Sequence, residues 1–406
     1  MKIALDTLGC KLNQAETEVL GREMARAGHQ LVPCAEAADV YLLNTCTVTS
    51  VADGKSRHLL RQARRRSSRV LIVATGCYAQ RAPEELARVE GIDLVVGNDR
   101  KPELPAMLEG LRHLIQQPLP GETTPQHPPE SRTRSFVKIQ DGCSSFCSYC
   151  IVPLVRGGEV SLPADSLSAE VRHRVADGYR EVVLTGTRVG SYHHNGAGLG
   201  DLLRRLLAET GVPRLRLSSL QPGEITPDLL QLWRDVRLCP HFHLALQSGS
   251  DAVLGRMKRR YSAGDFRQAA SLIRHHVPEV AITTDVIVGF PGETDEEHEQ
   301  SYRFCEEAGF ARIHVFPYSA RSGTEAALMP EQVDSRVRRE RARQMLSLAR
   351  KSEQRFRRGF SGRTMTVLWE QRSADGRWSG ITGNYIRVHT ESREDLFNKL
   401  MPATLP

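Results

Sequence analysis

Short apolar runs alternate with stretches of helical periodicity twice along this chain, with a proline-rich gap between the two series, and that layout restricts the fold more than any other feature. In the first series KIALDT, ADVYLLN, VLIVAT and IDLVVG are separated by helical segments starting near Gln14, Asp53 and Pro83. Apolar strands flanked by helices are what a parallel sheet covered on both faces requires. Residues 1–115 are therefore expected to form a Rossmann-like parallel-sheet domain. The segment QQPLPGETTPQHPPESRT then places five prolines between Gln116 and Thr133. Proline fixes φ and lacks an N–H donor, so residues 116–133 read as a linker rather than a helix or central strand.

From Ser135 the alternation resumes with SFVKIQ, EVVLTG, RLRLSS, HFHLAL, AITTDVIVGF and ARIHVFPYS. Six β/α units in roughly 200 residues predict a partial (β/α)6 barrel, whose ligands gather at the carboxyl ends of its strands. A basic helix from about Asp334 to Arg358 closes this second domain, residues 134–358. TMTVLWEQ, GRWSGITG and YIRVHT then predict a small C-terminal β module over residues 359–406. The overall class is α/β.

Charge and leader signals narrow the setting. No run approaches 18 apolar residues, and MKIALDTLGC lacks the basic-then-apolar layout of a signal peptide, so neither a membrane nor export is expected and the reading is cytoplasmic. The net charge of +7 lies entirely in residues 331–406, where 16 Lys/Arg face 9 Asp/Glu; the rest holds 39 of each. A second basic run, KSRHLLRQARRRSSR, spans Lys55 to Arg69 with seven cations and no acid. One such run is ordinarily a solvated helix face. Two in a chain otherwise neutral point to a phosphate-rich partner, because clustered cations gain affinity by releasing counterions.

The chemistry rests with the cysteines. Cys143, Cys147 and Cys150 stand in DGCSSFCSYC, directly after the first barrel strand, with Tyr149 before the last thiol. A structural zinc site would want a fourth ligand nearby and usually C-x2-C pairs, whereas three thiolates leave one iron of a cubane cluster open. Cys10, Cys46 and Cys77, in TLGCKLNQAE, LLNTCTV and ATGCYAQ, each follow a predicted parallel strand. Carboxyl ends of neighbouring strands share one edge, so these three can meet there as a second cluster site despite their separation in sequence. The plainer alternative is three unrelated buried thiols. Cys34, Cys239 and Cys305 fit neither set and read as inert.

The triplet with an aromatic before its last cysteine resembles the radical S-adenosylmethionine superfamily. Together with the three amino-terminal contexts, the chain resembles the methylthiotransferase family, which joins a cluster domain, a radical core and a terminal TRAM domain. TLGCKLNQAETE, NTCTVTSVADGKSR, QDGCSSFCSYCIVPLVRG, VVLTGTRVGSY and DVIVGFPGETDEE look most like the branch acting on threonylcarbamoyladenosine 37 of tRNA, and less like the isopentenyladenosine branch or the one modifying a ribosomal protein aspartate. The resemblance implies two 4Fe-4S clusters, one on Cys10, Cys46 and Cys77, the other on Cys143, Cys147 and Cys150 and chelated by S-adenosylmethionine. It implies reductive cleavage of the sulfonium to a 5′-deoxyadenosyl radical, sulfur delivery from the first cluster to C2 of the adenine, and no side-chain triad. The partners implied are a tRNA anticodon loop and an electron donor, not DNA. A rival from another class is a non-catalytic iron-sulfur RNA-binding protein.

By position, Tyr149, Thr185, Gly186, Ser218, Gln247 and Val288 are expected to contact the cofactor, with Thr187, Ser219 and Gly289 beside them; strand-end capping is the alternative for each. Arg338, Arg339, Arg341, Arg357 and Arg358 are expected to hold RNA phosphates, and Trp369, Trp378 or Tyr385 to stack on bases or to pack in a core. His193, His194, His241 and His243 read as solvated or core residues. Because NKLMPATLP follows YIRVHT, the terminal module is expected to lack a closing strand and so to expose a sheet edge.

Overall fold

The computed structural model describes residues 1–34, 36–111 and 133–406. The expected linker, Thr133 apart, lies outside the described residues. The first domain is a five-stranded, wholly parallel sheet in the order Gln30–Val32, Lys2–Thr7, Val40–Thr45, Leu71–Gly76, Leu94–Val96. Successive residues of each strand point to opposite faces. Ile3, Leu42 and Val73 pack with Leu20 and Met24 of helix Lys11–Arg26 and with Leu104 and Leu108 of helix Leu104–Gly110. Ala4, Leu43 and Ala74 pack with Leu60 and Ala63 of helix Ser50–Arg66 on the other face. The strand order reverses between Lys2–Thr7 and Val40–Thr45. In open α/β sheets the crevice at such a reversal, beyond the strands' carboxyl ends, is where ligands bind.

The second domain carries the six parallel strands expected, as two half-sheets. Arg134–Lys138, Glu181–Thr185 and Arg214–Leu217 form the first. Ser219–Leu220, His241–Leu244, Ala281–Val288 and Arg312–Pro317 form the second. Ser218 interrupts the third unit, and its N–H bonds the Leu184 carbonyl. One core of aliphatic residues and Phe242, Phe266, Phe304 and Phe310 fills the space between strands and helices. The barrel is open along its first strand, where the first domain is seated: Ala15 of helix Lys11–Arg26 packs with Phe136 and Val183.

Helix Ser335–Arg358 packs against the last barrel strand and leads into an antiparallel sheet in the order Arg387–Glu391, Arg377–Thr382, Thr364–Arg372, Leu400–Thr404. The expectation of a missing closing strand is overturned, because LMPAT pairs with Thr364–Leu368. The proline in it hid the strand. Pro402 sits opposite Thr366 on an outermost strand, where a missing donor is tolerated. Trp369 and Trp378, 2% and 5% exposed, are core residues of this sheet with Phe360, Val388 and Leu405, so base stacking is excluded for both. Tyr385 enters the floor of the barrel, stacked on His241 at 4.6 Å and with the Arg216 guanidinium 4.5 Å from its ring centroid. No helix among the described residues is long and apolar enough to cross a membrane.

Candidate functional site

Cys10 caps helix Lys11–Arg26, Cys46 follows strand Val40–Thr45, and Cys77 opens the short helix Cys77–Arg81 behind strand Leu71–Gly76. All three lie at one sheet edge beside the strand-order reversal. Gly9 permits the approach: with φ +121°, a Cβ there would lie 2.8 Å from Cys46 Cβ and 3.1 Å from its Sγ. Burial pushes the Cys46 thiol up to about 12, with Cys10 and Cys77 adding to the rise. Burial raises Cys10 too, opposed by Arg156 and reinforced by Cys77. Three thiols gathered at one edge with few partners of their own suit a cation, which displaces their protons on binding. Gly9→Ala is therefore expected to lower iron loading at this trio by at least half while leaving the far trio loaded; iron counts on the variant with and without the second trio check it.

The second trio sits on the loop after strand Arg134–Lys138. Gly142, φ +68°, starts it, and a Cβ there would strike the Gly158 carbonyl at 1.9 Å. The loop is closed by Cys143 N–H to Gly157 O at 3.0 Å and Cys150 N–H to Cys147 O at 2.9 Å. Arg259 Nη1 donates to Cys147 Sγ at 3.3 Å, and Ser145 N–H to Cys143 Sγ at 3.4 Å. Burial lifts Cys150 to about 12, with Cys147 and Cys143 contributing. Tyr149 meets Phe290 edge-on at 6.3 Å. A guanidinium beside each trio, Arg259 here and Arg156 there, offsets the negative charge that three thiolates on a metal cluster would bring.

The second trio borders, through Cys150, a cavity of about 320 Å³. Val48 and Thr49, just past Cys46, form one wall; Tyr149, Cys150 and the strand ends at Thr187, Ser219, Gln247, Asp285 and Ile287 form the others. Thr187 Oγ1, Arg259 Nη2 and Tyr318 OH are buried here without partners among the described residues, so the wall is set for a polar ligand. Of the residues expected at the cofactor, Tyr149, Thr187, Ser219 and Gln247 line this cavity. Thr185, Gly186, Ser218 and Val288 do not. Val288 lies in the barrel core, Thr185 O accepts from Ile139 N–H, and a Cβ at Gly186 would lie 2.7 Å from Gln140 O. The strand period of two explains the offset, since neighbours one residue on face the other way.

Sequence reasoning passed over the seam that brings the trios together. Arg156, six residues after Cys150, donates to Glu16 at 2.8 Å, Asp141 at 3.0 Å and Asn13 Oδ1 at 2.7 Å. Lys101 and Lys138 also meet Glu16. Asn98 bridges Val155 O and Cys77 Sγ. On the cavity side Arg321 holds Thr47 O at 3.0 Å and Asp53 at 2.7 Å, which pins the Cys46 loop. Asn13, Glu16, Asp53 and Arg156 all lie inside the motifs quoted above, yet nothing in a single sequence pairs them.

The basic helix divides. Arg339, Arg357 and Arg358 are exposed and Arg338 is half-buried. Arg341 is 5% exposed and paired with Glu293 at 2.8 Å and Asp295 at 2.7 Å, so it is removed from the expected phosphate contacts. Cys34 bonds the Leu5 carbonyl at 3.3 Å, and Cys239 and Cys305 are buried.

Comparison with known proteins bears on this arrangement. Residues 2–97 match the family described as "Uncharacterized protein family UPF0004", and residues 137–305 the radical SAM superfamily. A threonylcarbamoyladenosine tRNA methylthiotransferase, MtaB, of Bacillus subtilis is 35% identical over 98% of this chain and 92% of its own length. One from Chlamydia pneumoniae is 39% identical over 90% and 86%. A tRNA-2-methylthio-N(6)-dimethylallyladenosine synthase of Cereibacter sphaeroides is 35% identical over 97% and 93%. Among solved structures, the radical S-adenosylmethionine methyltransferase TsrM from Kitasatospora setae superposes with a TM-score of 0.58 over 80% of this chain and 75% of its own, at 16% identity; that likeness concerns the fold alone.

Proposed function

Since this chain belongs to the radical S-adenosylmethionine methylthiotransferases of tRNA, we propose that it adds a methylthio group to C2 of N6-threonylcarbamoyladenosine 37 in a tRNA anticodon loop. The observation that carries the reading is one cavity walled on one side by Cys150 of the second trio and on another by Val48 and Thr49, which follow Cys46 of the first. Cys10, Cys46 and Cys77 would hold one 4Fe-4S cluster, and Cys143, Cys147 and Cys150 the other, with S-adenosylmethionine. When bound, these groups supply one-electron chemistry, a sulfur atom and a methyl group, given an external electron donor. The chain's part is placement: Tyr149 and Phe290 back the second trio, Arg259 orders Cys147, and Val48 with Thr49 brings the first trio's loop to the cavity wall.

One observation favours the threonylcarbamoyl substrate over a dimethylallyl one. Below the cavity the barrel lumen is lined by Asp285, His243, His314 and Lys11, a costly place for an apolar substituent that cannot satisfy those groups. We read the enzyme as cytoplasmic, with its RNA. Nucleoside mass spectrometry of tRNA from cells lacking the gene tests the reading. Loss of the methylthio mark on the threonylcarbamoyl nucleoside alone supports it; loss on the dimethylallyl nucleoside, or on neither, refutes it.

The exposed arginines would grip RNA phosphates, and the C-terminal sheet would serve as the TRAM-like module. Replacing Arg339, Arg357 and Arg358 together by glutamine is expected to weaken tRNA binding at least tenfold at low salt and to flatten the log–log salt slope by about 2. Cleavage of S-adenosylmethionine without RNA should be unchanged. Filter binding across a salt series measures both.

A further inference from the structure

Lys11, next to Cys10, turns away from the trio into the barrel lumen, where its ammonium makes no hydrogen bond or ion pair with any described residue. Its nearest marked contact is the Tyr385 ring at 5.9 Å. Its charge is felt at Asp285 and His314, and Arg216, Arg134 and Glu181 act on it in turn. Half-buried and without a partner among the described residues, this cation is open to a ligand that supplies the counter-charge. Asp285 lines the cavity and is held by His243 Nε2 at 3.2 Å, while Thr283 Oγ1 bonds His243 Nδ1 at 3.0 Å and fixes that ring. His314 lies on the next strand, paired in register with Asp285, and its imidazole has no hydrogen bond among the described residues. Donor atoms of His243, Asp285 and His314 lie within 4.8 Å of one another. Two imidazoles and a carboxylate could hold a divalent cation, but the Lys11 ammonium acting on the same groups opposes one. It favours an anion.

We propose that Lys11, Asp285 and His314 form the pocket for the substrate's threonylcarbamoyl group, Lys11 taking its carboxylate, Asp285 accepting from its ureido N–H groups and His314 facing its hydroxyl. This rests on the substrate assigned above. The groups match in kind: the substituent carries one negative charge, two N–H donors and one hydroxyl, and among the described residues Lys11 is an unpaired cation, Asp285 a carboxylate on the cavity wall and His314 an imidazole without a hydrogen bond. The pocket would make the enzyme act after the threonylcarbamoyl group is installed, since adenine alone leaves Lys11 bare.

The test is binding of anticodon stem-loop RNAs, with threonylcarbamoyladenosine or plain adenosine at position 37, to the full-length reconstituted protein with S-adenosylmethionine and no reductant. The wild type is expected to prefer the modified loop. Lys11→Met should cost roughly 10- to 150-fold on that loop, as expected for a charge-assisted contact, with little change on the plain one, and Lys11→Arg should restore part of the preference. His314→Asn is expected to lower the preference less, and it decides the matter if Lys11→Met fails to load iron. A preference that survives in Lys11→Met, equal losses on both loops, or one zinc ion bound per chain and lost in His314→Asn would overturn the proposal. If the wild type modifies no threonylcarbamoyladenosine tRNA, the substrate reading fails; if it does and Lys11→Met still discriminates, only this pocket fails.

Discussion

Exchanging Cys143, Cys147 and Cys150 for alanine is expected to abolish reductive cleavage of S-adenosylmethionine and to leave about four irons per chain in place of about eight. Alanine removes the thiolates without adding bulk, and the loop keeps its closure through Cys143 N–H to Gly157 O and its start at Gly142, which are backbone features. Loss of function should therefore come from lost ligation, with the fold intact by circular dichroism. Exchanging Cys10, Cys46 and Cys77 should give the complementary result, with deoxyadenosine still released on reduction and no methylthio product. Anaerobic iron counts and product chromatography on both triple variants separate the two trios. A single-trio variant that loses all eight irons would show that the sites are not independent and would undo the assignment of one cluster to each.

The largest effect on stability is expected at Arg216. It and Glu181 are both fully buried, joined by Nε to Oε1 at 2.8 Å and Nη2 to Oε2 at 3.1 Å. Burial alone would raise the Glu181 carboxyl; Arg216 and Arg214 outweigh it and bring it down to about 2. Arg216 also donates to the Gly383 and Thr382 carbonyls, and Arg214 to Ile381 O, so the C-terminal sheet is hung on the barrel floor by the same two guanidinium groups. Arg216→Met nearly keeps the volume but takes both of its hydrogen bonds from a fully buried carboxylate, leaving it Arg214 at 3.0 Å, a loss of up to about 3–5 kcal/mol. Against a total of roughly 5–15 kcal/mol, that should lower the denaturant midpoint markedly and free the sheet for proteolysis. The double variant Arg216→Met with Glu181→Leu should recover only part of the loss, because Arg214, 3.0 Å from Glu181, then loses its carboxylate. Equal stability of the single and double variants in urea titrations would show that the guanidinium acts by packing alone.

Much of this was legible in the sequence, for stated reasons. Strand positions in both α/β series follow from apolar runs long enough to cross a covered sheet, and the thiols of each trio could be grouped because strand ends share an edge. What escaped was of three kinds. Pro402 concealed the closing strand, since proline counts against a strand until its place at the sheet's edge is known. Arg341 looked like its neighbours in a basic run, and only the packing of Glu293 beneath it marks it as a core residue. Ile287 lines the cavity where Val288 was expected, and of the two serines named only Ser219 does, a one-residue offset that flips the face of a strand and that no motif encodes. Tyr385, a candidate for base stacking, became part of the barrel floor because the terminal sheet docks there.

The ionic seam around Glu16 has a consequence for how sulfur could be handed across. Burial would raise the Glu16 carboxyl, but Lys101, Arg156 and Lys138 hold it far below the ordinary range. Its stabilising share is complete above the usual carboxylate range and is surrendered only as pH falls through that much lower value. Mild acid will not loosen this joint. Sliding one half over the other would strip that carboxylate of Arg156 and Lys138, the two cations the second domain supplies, and leave it Lys101 alone, so the seam resists shear between the halves that carry the two trios.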